Sequence, residues 1–209
     1  MRTRRTRGAR LPYGALVAAA TAALLATLVT PAGARPEPSP SSSASSVRES
    51  RPVHSYADAI RESVWVDTGL DGDGDGRADR VAVDIVRPRE PAAAGRKIPV
   101  IMDASPYYAC CGRGNEGQKK TYDADGDPVL FPLFYDNFFV PRGYAYVAVD
   151  LAGTSRSDGC DDVGGRSDVQ SAKAVVDWLG GRARGYTSRT GDTRARATTW
   201  STGNVGMIG

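Results

Sequence analysis

Four aspartates alternate with glycines in one short stretch, and their spacing suits a hard cation. They occupy relative positions 1, 3, 5 and 9 of the stretch: Asp71, Asp73, Asp75 and Asp79. Gly76 stands at position 6, as in the first part of a calcium-binding loop, but Ala82 replaces the glutamate expected at position 12. The spacing predicts a structural calcium site or, alternatively, an Asp-Gly turn whose charges face water.

The last ten residues, 200–209, carry a pattern that could present a nucleophile. Residues 205–208 predict a short buried strand, which leads directly into Gly209. A strand followed by glycine is how the sharp Gly-x-Ser-x-Gly turn begins, and that turn holds a catalytic serine hydroxyl above a sheet. We therefore expect a nucleophile just past Gly209 and a half-sheet upstream that presents it.

Other candidate nucleophiles and bases in the chain are weaker. Ser155 and Ser157 come near the same turn pattern without meeting it, since no tight strand-to-helix turn surrounds them. His54 is the sole histidine and precedes every predicted strand, so we interpret it as a surface or linker residue.

The first 52 residues carry export signals. Five arginines in residues 1–10, an apolar run over 15–29 and small residues up to Ala34 predict a signal peptide over 1–34 and a secreted protein. The Pro/Ser-rich stretch 35–52 predicts a disordered linker. The apolar run is short for a membrane span, so we expect no membrane attachment after cleavage.

The net charge of the chain argues against a nucleic-acid partner. The net charge of +3 includes eight arginines among the first 51 residues. Once these are set aside as targeting and linker sequence, we expect no nucleic-acid binding.

Residues 53–209 predict an α/β domain. Alternating patterns at 63–68 and 80–87 indicate a hairpin around the acidic loop. Buried strands are predicted at 98–102 and 144–150, with a helix at 130–140 between them. The succession strand, helix, strand implies a right-handed crossover and a parallel sheet.

A second helix is predicted over 167–179. Ser167 and Gln170 could form a capping box, and four apolar residues fall on one face: Val169, Ala172, Val176 and Leu179. The arginine-rich stretch 182–196 that follows predicts an exposed connection.

The three cysteines cannot all pair with one another. Cys110–Cys160 and Cys111–Cys160 are the favoured bridges, because a bridge between adjacent cysteines is strained. A metal site is the weaker interpretation, since His54 lies far away in sequence.

Several features together resemble one enzyme family. They are the opening hairpin, Ser105-Pro106-Tyr107 after the next strand, the segment PRGYAYVAVDLAGTSRSDG at 141–159, and VVDWL followed by TWSTGNVGMIG. Their order and spacing resemble the Xaa-Pro dipeptidyl-peptidases and the related cocaine-esterase and α-amino-acid ester hydrolase enzymes. The form Gly-Thr-x-x-Ser-Asp-Gly-Cys favours the Xaa-Pro branch.

This resemblance implies the first part of an α/β-hydrolase sheet, truncated at the strand of the nucleophile elbow, with a helical and a jelly-roll domain to follow. It implies a serine two residues after Gly209, with the aspartate and histidine later still, so that all three are absent from the chain. Tyr107 matches the tyrosine whose hydroxyl helps form the oxyanion hole. No cofactor is implied for the chemistry.

By resemblance, the chain is the N-terminal part of a secreted serine peptidase. Its substrates would be peptides with proline at the second position, cleaved through an acyl-enzyme. The 209 residues alone are expected to be inactive. The alternatives are an ester hydrolase of the cocaine-esterase type and, from another class, an exported calcium-binding or adhesive module.

Overall fold

The computed structural model of the chain describes residues 50–110 and 119–209. The predicted signal peptide over 1–34, Cys111 and the predicted linker up to residue 49 lie outside the described residues.

A seven-stranded sheet forms the body of the protein. Its strands are β1 (Ile60–Asp67), β2 (Arg80–Arg87), β3 (Ile98–Ser105), β6 (Ala145–Asp150), β7 (Gly185–Tyr186), β8 (Arg194–Ala195) and β9 (Ser201–Met207), and two further strands, β4 (Thr121–Tyr122) and β5 (Pro128–Leu130), form a separate hairpin. The order across the large sheet is β8-β7-β1-β2-β6-β3-β9. β1, β2 and β6 are successively antiparallel, whereas β6, β3 and β9 run parallel. The predicted α/β fold, an opening hairpin followed by parallel strands, is confirmed.

Within residues 50–110 and 119–209, three α-helices connect the strands: α1 (Arg89–Ala93), α2 (Tyr135–Phe139) and α3 (Arg166–Leu179). The helix predicted over 130–140 is wrong in extent, because only α2 is α-helical there. Leu133 and Phe134 have left-handed φ angles of 64° and 54°, and such angles break a right-handed helix. Short 3-10 turns flank α2 at Pro132–Phe134 and Val140–Arg142. Among the described residues, no helix combines the length and apolar character needed to cross a membrane.

Helix α3 confirms the second predicted helix and most of its predicted buried face, but not its cap: Leu179 is buried, and Ala172 and Val176 pack against the core. Ser167 Oγ donates to Asp162 Oδ1 at 2.6 Å, and Gln170 Nε2 donates to the Thr68 carbonyl at 2.7 Å, so the two do not form a capping box. Val169 is the exception at 65% exposed, and the buried positions also include Ser167, Ser171, Ala174, Val175 and Trp178. Trp178 packs edge-on against Trp200, with ring centroids 6.3 Å apart.

The stretch 182–196 is not merely the exposed connection that its arginines predict. It contributes β7 and β8, which extend the sheet beyond β1. Tyr186 of β7 is buried, and the Arg80 guanidinium carbon lies over its ring, 3.5 Å from the ring centroid. Two-residue strands are too short to show a period-2 pattern, which is why the sequence did not indicate them.

The two faces of the sheet bury different chemistry. The apolar face packs under α3 and consists of valines, Ile85, Met102 and the Trp178–Trp200 pair. The acidic face packs under the connection from β3 to β6 and mixes Val86, Ala148, Phe131 and Tyr146 with the buried carboxylates of Asp84, Asp103, Asp136 and Asp150. Successive strand residues alternate between the two faces.

Candidate active site

Three parallel strands end side by side at one edge of the sheet. β3 pairs with β6 up to the partners Ser105 and Asp150, and it pairs with β9 up to the partners Met102 and Met207. The Ile208 amide continues this pairing by donating to the Met102 carbonyl at 3.0 Å. In open α/β sheets, ligands bind beyond the carboxyl ends of such strands. The strand predicted at 205–208 lies in the sheet beside β3, but the prediction that it is buried is wrong, because β9 is an edge strand and Met207 is 57% exposed.

Tyr107 lies at the same edge, two residues past the end of β3. The Tyr107 amide donates to Ser105 Oγ at 3.2 Å, which turns the chain as it leaves the strand. Its side chain is 53% exposed. Tyr107 therefore follows the carboxyl end of β3, and the neighbouring strand β9 ends at the same edge of the sheet.

The next residue, Tyr108, is buried, whereas Tyr107 is exposed. Its carbonyl accepts the Lys120 amide at 3.1 Å, and the Lys120 ammonium lies 4.5 Å from its ring centroid. Burial, with Tyr146 and Asp103 nearby, raises the pKa of Tyr108 well above its usual value. Tyr108 is therefore a neutral anchor for the loop that carries Tyr107.

A buried cluster of charges lies on the acidic face beneath this loop. Lys120 Nζ is 2.6 Å from Asp84 Oδ2 and 2.6 Å from Asp150 Oδ1, and all three side chains are at most 1% exposed. The contact with Asp150 is an ion pair without hydrogen-bond geometry, because Asp150 Oδ1 has no hydrogen-bond partner among the described residues. We call Lys120, Asp84, Asp150 and Arg156 the lysine cluster.

Further donors complete the coordination of Asp84 within the lysine cluster. The Arg156 guanidinium contacts Asp84 Oδ1, and the Ser63 hydroxyl donates to the same oxygen at 2.6 Å. The Tyr122 hydroxyl donates to the other oxygen, Asp84 Oδ2, at 2.8 Å. Two cations and two carboxylates thus balance in formal charge.

The two carboxylates of the lysine cluster titrate differently. Burial opposes ionisation of Asp84, but Lys120 and Arg156 outweigh it and hold the pKa of Asp84 below its usual range. Burial raises the pKa of Asp150, and Lys120 offsets this effect only in part. Both carboxylates are counter-charges of Lys120, at the same distance of 2.6 Å.

Sequence reasoning missed the lysine cluster, although a signal for it existed. Asp84 stands inside the apolar run of β2, and Asp150 ends the apolar run of β6. An aspartate in a fully buried strand requires a partner. Lys120 could not be identified as that partner, because it follows a glycine-rich polar loop with no periodic pattern.

The two serines near the elbow pattern do not form a nucleophile turn. The Ser157 hydroxyl is buried, donates to the Asp150 carbonyl at 2.7 Å and accepts the Ala82 amide at 2.8 Å. It therefore ties β6 to β2. Ser155 has a φ of 49° in the same loop, before α3 begins at Arg166.

Three of the four predicted calcium ligands converge. Carboxylate oxygens of Asp71, Asp73 and Asp79 lie within 4.8 Å of one another. Asp75 Oδ1 instead accepts the Arg77 amide at 2.8 Å. Burial, opposed by the Gly72 amide and reinforced by the neighbouring aspartates, raises the pKa of Asp79. Carboxylates crowded in this way suit a bound cation.

The cysteines and the histidine differ from their predictions. Cys110 is disulfide-bonded, whereas Cys160 is free and exposed, so both favoured bridges to Cys160 are wrong. The Cys160 carbonyl oxygen lies 3.0 Å from Ser167 Oγ at the start of α3. His54 Nδ1 lies 3.5 Å from Glu90 Oε2, and its backbone amide donates to the Pro141 carbonyl. His54 therefore packs on the body of the domain.

Comparison of the sequence with known proteins finds one family. The profile of the X-Pro dipeptidyl-peptidase (S15) family matches residues 73–209. A putative Xaa-Pro dipeptidyl-peptidase of Streptomyces avermitilis is 72% identical over 193 residues, which cover 92% of this chain and 27% of that protein. A putative Xaa-Pro dipeptidyl-peptidase of Bacillus anthracis is 37% identical, over 76% of this chain and 26% of its own length. The chain thus spans about a quarter of the length of these relatives.

A solved structure is also similar in part. A CocE/NonD family hydrolase from Staphylococcus aureus is 20% identical, with a TM-score of 0.45, over 71% of this chain and 23% of that protein.

Proposed function

Because the chain belongs to the X-Pro dipeptidyl-peptidase (S15) family, we propose that it forms the N-terminal part of a secreted serine hydrolase. The proposed reaction releases Xaa-Pro dipeptides from peptide N-termini through an acyl-enzyme. Peptides with proline at the second position are the proposed substrates.

The observation that supports this proposal most strongly is the parallel pairing of β3 with β9. It puts Tyr107 and the end of β9 at neighbouring strand ends on one edge of the sheet. In a nucleophile elbow the serine follows such a strand directly, and an oxyanion-hole donor comes from the loop after β3. Tyr107, with its half-exposed ring, occupies that loop.

The chemistry assigned to Tyr107 is electrostatic. Serine attack on the scissile carbonyl places a negative charge on the carbonyl oxygen, and a phenolic hydroxyl held in place can donate to that oxygen. Because the donor is fixed before the charge develops, it stabilises the transition state more than the substrate. Loss of one such donor typically lowers kcat by about 100-fold or more.

A chimera tests the proposal. This chain replaces the matching segment of the 72% identical Streptomyces avermitilis relative, and release of the anilide from Gly-Pro-anilide is measured. We expect turnover by the chimera, no turnover by the 209-residue chain alone, and a loss of about 100-fold in kcat for Tyr107→Phe. Absence of turnover by the chimera would contradict the proposed function.

The matched control is Tyr144→Phe. Tyr144 immediately precedes β6 at the opposite end of the strand, where its ring packs against Phe139 at 5.9 Å. This variant should keep kcat within about twofold of the chimera. Faster cleavage of simple aryl esters than of Gly-Pro-anilide would favour the esterase alternative.

We further propose export through the signal peptide over 1–34 and a structural calcium in the acidic loop. The convergence of Asp71, Asp73 and Asp79 supports the calcium site. Calorimetric titration with calcium should show binding to the wild-type chain, accompanied by a higher melting temperature. Asp73→Ala should remove both effects, and a wild-type titration without heat would contradict the calcium site. Secretion of a reporter fused after residue 34 tests export.

A further inference from the structure

Lys120 is buried far more deeply than a lysine usually is. Its side chain is 1% exposed, and its ammonium lies between Asp84 of β2 and Asp150 at the end of β6. Desolvating an ammonium is costly, and the ion pairs repay this cost only when their geometry is good. A residue held in this way is fixed in position by charge as well as by packing.

The loop after β3 is attached to the sheet through Lys120. The Lys120 amide donates to the Tyr108 carbonyl at 3.1 Å, and its ammonium lies 4.5 Å from the centroid of the Tyr108 ring. One residue therefore binds the backbone and ring of Tyr108 on one side and carboxylates from two strands on the other. Tyr107 is the adjacent residue in the chain.

Arg156 closes the lysine cluster toward solvent. Its guanidinium stacks 3.8 Å from the Tyr122 ring centroid and contacts Asp84, while its side chain remains 26% exposed. Tyr122 comes two residues after Lys120, so the far end of the loop is also tied to Asp84. The cluster thus fixes the loop segment that returns to the sheet.

We propose that Lys120 is a positioning residue for the Tyr107 hydroxyl, acting through Tyr108. This inference rests on the proposed function, in which Tyr107 donates to the oxyanion. The ammonium itself is buried between Asp84 and Asp150. Its role is to keep Tyr107 in a single position, so that no binding energy is spent on ordering the donor.

The test is a double-mutant cycle in the chimera with the Streptomyces avermitilis relative. We expect Lys120→Met to lower kcat at least tenfold with KM within about threefold. The double variant Lys120→Met/Tyr107→Phe should match Tyr107→Phe within about threefold, because the lysine acts only through the tyrosine. The inference would be overturned if the loss of kcat in the double variant equalled the product of the two single losses. An unchanged kcat in Lys120→Met would also overturn it.

Two further variants separate positioning from folding. Lys120→Met/Asp150→Asn removes one charge of each sign and leaves the Asp84–Arg156 pair. Because no buried charge then lacks a partner, this variant can be tested even if Lys120→Met does not fold. It should show the same loss of kcat, and a wild-type kcat would overturn the inference. Lys173→Met is the control, since Lys173 is a 61% exposed lysine that pairs with Asp177 on α3.

Hydrogen exchange tests the inference independently of turnover. If the wild-type chimera is inactive, the proposed function fails, and the exchange rates then decide the role of Lys120. Lys120→Met, or Lys120→Met/Asp150→Asn if the single variant does not fold, should exchange the amide hydrogens of Tyr107 and Cys110 about tenfold faster than the wild-type chimera. The amides of Ile85 and Val147 should exchange at the wild-type rate. Equal protection of Tyr107 and Cys110 in both proteins would overturn the inference.

Discussion

Both faces of the sheet bury side chains, yet they are held together by different forces. On the apolar face, α3 packs Trp178 and Leu179 onto valine-rich strands. On the acidic face, the connection from β3 to β6 packs over buried carboxylates, with Lys120 bound between two of them. Dispersion and the hydrophobic effect are non-directional, whereas ion pairs and hydrogen bonds fix distances and angles.

This difference suits the different tasks of the two faces. An apolar layer gains free energy with buried area and tolerates small shifts of its side chains. A charged cluster contributes little net free energy but penalises displacement of any member. The loop carrying Tyr107 lies over the acidic face, where a fixed position is required. The comparison therefore predicts that mutations on the two faces differ in both size and pH dependence.

The largest effect is expected from Asp84→Asn on the acidic face. This change keeps the shape of the side chain but removes the counter-charge of Lys120 and Arg156, and we expect a loss of about 4 kcal/mol in the free energy of unfolding at pH 7. Since the folded-state pKa of Asp84 lies below its unfolded value, its stabilisation is complete above the unfolded pKa. The difference from wild type should shrink as the pH falls through the folded pKa. Urea unfolding at several pH values measures it.

Asp177→Asn is the matched control for Asp84→Asn. Asp177 is 24% exposed on α3, where Lys173 and Arg182 lower its pKa at the surface. Surface pairs are worth at most about 1 kcal/mol, so this variant should stay within that range. A loss at Asp84 as small as that at Asp177, or one independent of pH, would remove the distinction between the two faces.

A smaller effect, independent of pH, is expected from Leu179→Ala on the apolar face. Leu179 is fully buried at the end of α3, and its truncation should leave a cavity that costs about 3 kcal/mol. No ionisable group is removed from this face, so the loss in Leu179→Ala should be the same at pH 4 and pH 7. Urea unfolding measures both values, and a loss that varied with pH would couple the two faces.

Most of the frame that positions the site could be predicted from the sequence. Strands β2, β3 and β6 have strong apolar patterns, and the parallel pairing followed from the strand, helix, strand order. These inferences needed only local patterns and a handedness rule. Tyr107 was different, because the family resemblance and not a local pattern implied its role.

The features that could not be predicted depend on contacts between distant parts of the chain. Lys120 is 36 residues from Asp84 and lies in a polar segment, so nothing local indicates that it is buried. Trp178 of α3 packs against Trp200, which lies beyond β7 and β8 in the chain, so no local pattern indicates this contact. The left-handed Leu133 and Phe134 interrupt an apolar stretch that otherwise suits a helix.

The smallest effect is expected from Val169→Ala, which sharpens the comparison by testing where the apolar face ends. The hydrophobic pattern of α3 puts Val169 on the buried side, whereas the structure leaves it 65% exposed. Truncating an exposed valine removes few contacts, and alanine favours the helix more than a β-branched residue does. Urea unfolding should therefore show a change within about 0.5 kcal/mol, toward greater stability. A loss above about 1 kcal/mol would mean that Val169 packs against the core, as the helix pattern predicts.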